Sequence, residues 1–243
     1  MLNTGKIKIG ISIGDPNGVG IELLLKAFED KRLYDFFTPL VFADFELLET
    51  ERKKFSFQTA LKPIEWGENL NKSKLNVLSV AAQSFSVEYG KVSESAGQFA
   101  IRSLEEAVKA LQKNKVDVLV TLPIHKQAFQ LAGFKYPGHT DYLNEKLQGD
   151  CLMFMVHENI KVALVTDHIP IQKVAQALSE DLLRQKIDSL LKSLKEDFGL
   201  SRPKIALLGL NPHTGDHGVI GTEDDELIRP VINTYFEKGD LVF

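Results

Sequence analysis

The chain has 243 residues, 44% hydrophobic and 26% charged, enough for one large domain or two smaller ones with apolar cores. Its net charge of −4 argues against a nucleic-acid partner held by broad phosphate neutralisation, and no stretch reaches the roughly 18 consecutive apolar residues of a membrane span. A single cysteine, Cys151, excludes an intrachain disulfide framework and fits a reducing compartment, so the cytoplasm is expected.

Short β-branched runs alternate with amphipathic segments along the chain. "KIKIGISI" (6–13) reads as a buried strand; "GDPNG" then breaks the apolar run, and no small-residue cleavage site follows, so no secretory leader is expected. "GVGIELLLKAFED" (18–30) reads as a helix, "FTPLVFA" (37–43) as a strand and "DFELLETERKKF" (44–55) as a helix. The polar, helix-poor stretch 54–73 is the nearest thing to a boundary, too weak a signal for a linker. "KLNVLSV" (74–80) is a strand, 94–115 a helix, and "VDVLVTLP" (116–123) a strand.

Further on, "CLMFMVH" (151–157) and "IKVALVT" (160–166) form an expected strand pair about the turn "ENI", with Cys151 read as a packing thiol. Residues 169–199 suggest two helices broken near Ser179. "KIALLGL" (204–210) is a strand, and 222–239 a helix whose acidic first turn suits its dipole. Such alternation predicts an α/β fold with a parallel or mixed sheet covered on both faces.

Ligands of open α/β sheets collect beyond the carboxyl ends of the strands. Here those ends lead into "GDPNGVG" (14–20), "TLPIHK" (121–126), "TDHIP" (166–170) and "NPHTGDHG" (211–218), while "YPGHTDYL" (136–143) precedes a short helix. His125, His168 and His213 each follow an expected strand, a pattern that lifts them above solvated loop residues; His157, at a turn, keeps the ordinary reading. Neutral imidazoles suit a borderline divalent ion, and Asp167 or Asp216 could orient a ligating ring. The glycines of "GDPNGVG" match neither the dinucleotide fingerprint nor a phosphate-binding loop, so this segment is either a tight structural turn or a loop lining the cleft.

In order and spacing, "GDPNGVGIE", "SAGQFA", "TLPIHK", "GHTDYL", "TDHIPI" and "GLNPHTGDHGVIGTEDD" resemble the 4-hydroxythreonine-4-phosphate dehydrogenase family of vitamin B6 biosynthesis. The resemblance implies two α/β/α domains with an interdomain cleft, similar to isocitrate and isopropylmalate dehydrogenases. The first domain would span 1–135, completed in the family by C-terminal residues, and the second 136–243. It also implies a homodimer whose active sites draw on both subunits, NAD or NADP as cofactor, and one divalent metal ion (Zn, Mg or Co). His139 and Thr140 match the pair that binds the small phosphorylated substrate; His168 and His213 match two of three metal histidines.

By residue type, Asp167 and Lys126 are candidates for the catalytic base, with His139 a third. Two departures stand out. His217 occupies a position where the family usually has glycine, and it carries no assigned role. Family members are also longer, their third metal histidine and further substrate contacts lying downstream, so residues 1–243 alone are expected to be inactive. The implied reaction is metal-dependent oxidation and decarboxylation of 4-phosphooxy-L-threonine to 3-amino-2-oxopropyl phosphate. Alternatives are the same chemistry on 4-phospho-threonate or 4-phospho-erythronate, a metal-dependent phosphohydrolase, or a phosphometabolite-binding module.

Overall fold

The computed structural model describes residues 6–80 and 85–243. The chain divides into two compact units, Met1–Leu147 and Gln148–Phe243, the division falling downstream of the sequence-based one after 135.

In the first unit, β1 (Ile7–Ser12) leads through α1 (Gly20–Ala27) and α2 (Leu33–Phe36) to β2 (Phe37–Ala43). There follow α3 (Phe45–Lys54), β3 (Leu61–Ile64), β4 (Leu75–Ser79), α4 (Glu94–Gln112), β5 (Val118–Thr121), α5 (Lys126–Leu131) and α6 (His139–Lys146). The strands form one sheet in the order β3-β4-β2-β1-β5, and every pair is parallel.

Two-residue periodicity sorts the side chains between the faces of this sheet. Ile9, Ile11, Val41, Ala43, Leu75 and Val77 pack with Ile21, Leu24 and Leu25 of α1 and with Leu47 and Leu48 of α3. On the other face Leu40, Phe42, Ile64 and Leu78 meet Ala107 and Ala110 of α4. Both faces are covered, so β2 reads as a near-continuous hydrophobic run, whereas β1, "IKIGIS", alternates isoleucines with Lys8, Gly10 and Ser12. Side-chain caps start α3 and α4: Asp44 accepts the Leu47 amide at 3.0 Å, and Ser93 accepts the Ala96 amide at 3.2 Å.

The strand β3 lies inside the polar stretch 54–73. Its "LKPI" carries Pro63, which lacks a ladder donor and is tolerated because β3 lies at the sheet edge.

The second unit begins with the antiparallel hairpin of β6 (Phe154–His157) and β7 (Ile160–Ala163). A 3-10 turn (Ile171–Lys173) and α7 (Val174–Ala177) precede α8 (Glu180–Glu196), and Ser179 caps α8 by accepting the Leu182 amide at 3.1 Å. After β8 (Lys204–Ile205) come a 3-10 stretch (Pro212–Gly218), a π turn (Asp224–Ile228), α9 (Arg229–Glu237) and β9 (Leu241–Val242). Leu183, Ile187, Leu191 and Leu194 form the stripe of α8 that packs on Ile205, Val231, Tyr235 and Val242.

Of the expected strand over 204–210, Lys204 and Ile205 pair with Leu241 and Val242, the Leu207 amide donates to the Phe243 carbonyl at 2.8 Å, and Leu208 is exposed. The molecule is a mixed α/β fold with a parallel sheet, and among the described residues no helix is long and apolar enough to cross a membrane.

Candidate functional site

In the first unit the chain leaves β4 on one side of β1 and enters β5 on the other, so the topological switch lies between β1 and β5. The loops leaving these strands are locked together. The Leu122 amide donates to the Ser12 carbonyl at 3.0 Å, and the Asp15 amide donates to the Pro123 carbonyl at 2.9 Å. Gly14 has φ 65°, and a Cβ there would lie 2.1 Å from the Pro123 oxygen.

Asn17 is buried and its amide is fully engaged: Nδ2 donates to the Lys91 carbonyl at 2.9 Å, and Oδ1 accepts the Glu88 amide at 2.8 Å. The two readings of "GDPNG" thus resolve toward a structural joint, with Asn17 tying the 14–18 turn to the 88–91 segment.

His125 likewise has a structural task, since its Nδ1 accepts the Ala128 amide at 3.4 Å as the N-cap of α5; Lys126, the first residue of that helix, is exposed. α5 lies close against α4, where a Cβ on Gly97 would come within 2.0 Å of the Ala128 carbonyl oxygen. This contact accounts for the glycine of "SAGQFA". It also places the Phe129 ring edge-on to His139, with centroids 6.2 Å apart.

His139 opens α6 after Gly138, which offers no side-chain cap. Its Nε2 is buried with no hydrogen-bond partner, and burial holds its pKa below the ordinary imidazole value. A neutral ring with an unsatisfied nitrogen therefore stands beside the uncapped amides of the α6 N-terminus and Thr140, an arrangement suited to an anion.

In the second unit, Asp167 and His168 follow β7. His168 has φ 51°, a side chain 72% exposed, and Nδ1 3.5 Å from Asp167 Oδ1. The other candidate loop has an unusual backbone: His213, Thr214, Gly215, Asp216 and His217 all lie in the left-handed region, with φ of 53°, 52°, 86°, 46° and 54°. For each residue that bears a Cβ this costs about 1–2 kcal/mol, and β-branched Thr214 is a genuine outlier. Backbone held in this way points to a functional turn. His213 and Asp216 are exposed, while His217 reaches Asp225 at 3.9 Å.

Asn211, at the head of the turn, donates from Nδ2 to Glu223 Oε2 at 2.8 Å. The Glu223 carboxyl is held below its usual pKa first by its own backbone N–H and then by this amide. Sequence reading took "TEDDE" only as an acidic helix start; the spacing between Asn211 and the two acids was the available signal.

A zinc site takes three or more protein ligands. Among the described residues no group of three His, Cys, Asp or Glu side chains is placed to hold a metal ion. His168 and His213 are thus an insufficient donor set by themselves. A cleft of about 470 Å³ lies on the sheet face beside Lys8, Leu40, Trp66 and Leu78; no candidate residue lines it.

The family model of the pyridoxal phosphate biosynthetic protein PdxA matches residues 35–243. The chain belongs to the PdxA family. A 4-hydroxythreonine-4-phosphate dehydrogenase from Bacteroides thetaiotaomicron is 35% identical over 244 residues, covering all of this chain and 67% of that relative. The crystal structure of a PdxA relative, a 4-hydroxythreonine-4-phosphate dehydrogenase from Burkholderia phymatum, superposes with a TM-score of 0.84 at 29% identity. That match covers 99% of this chain and 74% of the other. A relative from Cutibacterium acnes, 31% identical over 95% of this chain and 68% of its own length, bears the provisional name D-threonate 4-phosphate dehydrogenase.

Proposed function

We propose that this PdxA-family chain serves NAD(P)-linked oxidation and decarboxylation of 4-phosphooxy-L-threonine to 3-amino-2-oxopropyl phosphate. The observation that carries the reading is His139: a buried, unsatisfied Nε2 beside the open amides of α6, where the family resemblance puts the phosphorylated substrate. The imidazole is neutral near pH 7, so it donates or accepts one hydrogen bond without bringing charge. Thr140 supplies a hydroxyl and an amide at the same helix start.

The reaction moves a hydride from the substrate carbinol carbon to the nicotinamide and a proton from its hydroxyl to a base; the β-keto acid then loses carbon dioxide. Asp167 and Lys126 are the base candidates. Asp167 is partly exposed and lies 3.5 Å from the His168 ring, whereas Lys126 opens α5 in the first unit. The family resemblance assigns His168 and His213 to a divalent ion (Zn, Mg or Co).

Two structural features support the finer architecture. β5 ends the sheet order with no strand on its outer side among the described residues, a parallel edge open to a further strand, in keeping with a two-domain, isocitrate dehydrogenase-like fold whose first domain is completed by more chain. On the hairpin, Met155 and Val162 are paired in register and exposed (49% and 40%) beside Ile160 (60%), an apolar face suited to a homodimer interface.

The D-threonate relative supports a second reading in which the substrate lacks the amino group. The experiment measures binding and formation of reduced nicotinamide with 4-phosphooxy-L-threonine and 4-phospho-threonate in parallel. His139→Gln and Thr140→Ala are expected to raise KM more than they lower kcat, whereas Asp167→Asn or Lys126→Gln, whichever removes the base, abolishes the rising limb of the kcat–pH profile. Preference for 4-phospho-threonate selects the second reading. Phosphate release without reduced nicotinamide refutes both.

A further inference from the structure

Asp224 is buried at the head of the π turn, with no lysine, arginine or histidine paired to it among the described residues. Its carboxylate instead accepts three N–H groups from the segment leading out of β8. Oδ1 takes the Leu210 amide at 2.9 Å; Oδ2 takes the Asn211 amide at 2.9 Å and Asn211 Nδ2 at 3.0 Å. The Asn211 carbonyl in turn accepts the Thr214 amide at 3.0 Å, a bond that closes onto the left-handed turn. A continuous set of bonds thus runs from Asp224 through Asn211 to the residue after His213.

We propose that Asp224 is the positioning residue of the 211–217 turn, holding it left-handed and so fixing the direction of the His213 ring. Placing this turn in the substrate site rests on the function proposed above; the latch itself does not. The chemistry demands a carboxylate. Asparagine at 224 has one acceptor oxygen for two sets of donors, so its NH2 must face either the Leu210 amide or the two Asn211 donors. Released from Asp224, Asn211 keeps only its Glu223 bond to offset a turn that its side-chain-bearing residues disfavour.

The test uses the whole protein and reads the ring resonances of its six histidines, amide exchange of the 209–221 segment, and the visible absorption of added Co2+. Asp224→Asn is expected to shift the His213 and His217 rings only. It should speed exchange of 209–221 about tenfold, as the loss of one net hydrogen bond allows, while α8 keeps its protection. Co2+ affinity should fall with it.

Unchanged His213 signals together with unchanged 209–221 exchange would overturn the proposal. If exchange rises in α8 as well, the variant has lost its fold, and Gly221→Ala decides by the same readouts. Its Cβ would sit 2.6 Å from Asn211 Nδ2 and 2.7 Å from Glu223 Oε2, pushing Asn211 off the carboxylate from the other side. His213→Ala separates the two ideas. If it leaves the Co2+ spectrum untouched, the metal assignment fails, and the latch is still judged on the ring signals and exchange.

Discussion

His139 couples a residue's burial to the pH response of the fold. Its folded-state pKa lies below the ordinary value of about 6.5 that the unfolded chain keeps. Above that value both states are neutral and the ring adds no pH dependence. As pH falls below it, the unfolded chain takes up the proton first, so stability drops, and the loss levels off once the folded pKa is passed. Thermal melts between about pH 7.5 and pH 5 are therefore expected to show a steeper decline for the parent than for His139→Gln. Equal slopes would mean the ring is not held neutral by burial. Sequence singled out His139 at a helix start, yet the Phe129 ring set edge-on to it is a neighbour that adjacency in the chain does not reveal. His125 shows the converse: it belongs to the same strand-end pattern, but its ring is used up capping α5.

Among the elements, the contact of α4 with α5 is the tightest test of packing. A methyl on Gly97 would press on backbone, the Ala128 carbonyl, rather than on a side chain that can turn away. Gly97→Ala should cost about 1–3 kcal/mol in denaturant unfolding, with the m-value unchanged. A neutral result would show that α5 can shift freely, and Phe129 with it. The elements legible in sequence were those with strong periodicity or clear caps: β2 over 37–43, α3 behind Asp44, and the break at Ser179. Those missed were short. β3 is a four-residue edge strand with a proline, and α5 has six residues, so neither carries enough repeats for a period to emerge.

For the molecule as a whole, the apolar face of the β6–β7 hairpin predicts self-association. Met155→Glu places a charge at its centre and should convert a dimer to monomers in sedimentation velocity while leaving the thermal melt of the monomer nearly unchanged. A parent protein that sediments as a monomer at all concentrations would refute the interface. The α/β class and the PdxA family were legible because both rest on local strings: apolar runs that must be buried on two faces, and motifs carried whole in the chain. What those motif residues do was decided only in three dimensions. Whether "GDPNG" is a joint depended on Pro123, more than a hundred residues away, meeting Gly14 at the sheet switch. The left-handed turn at His213 likewise depends on Asp224 reaching back to Asn211. Burial and hydrogen-bond partners are properties of neighbours in space, and the order of residues along the chain does not contain them.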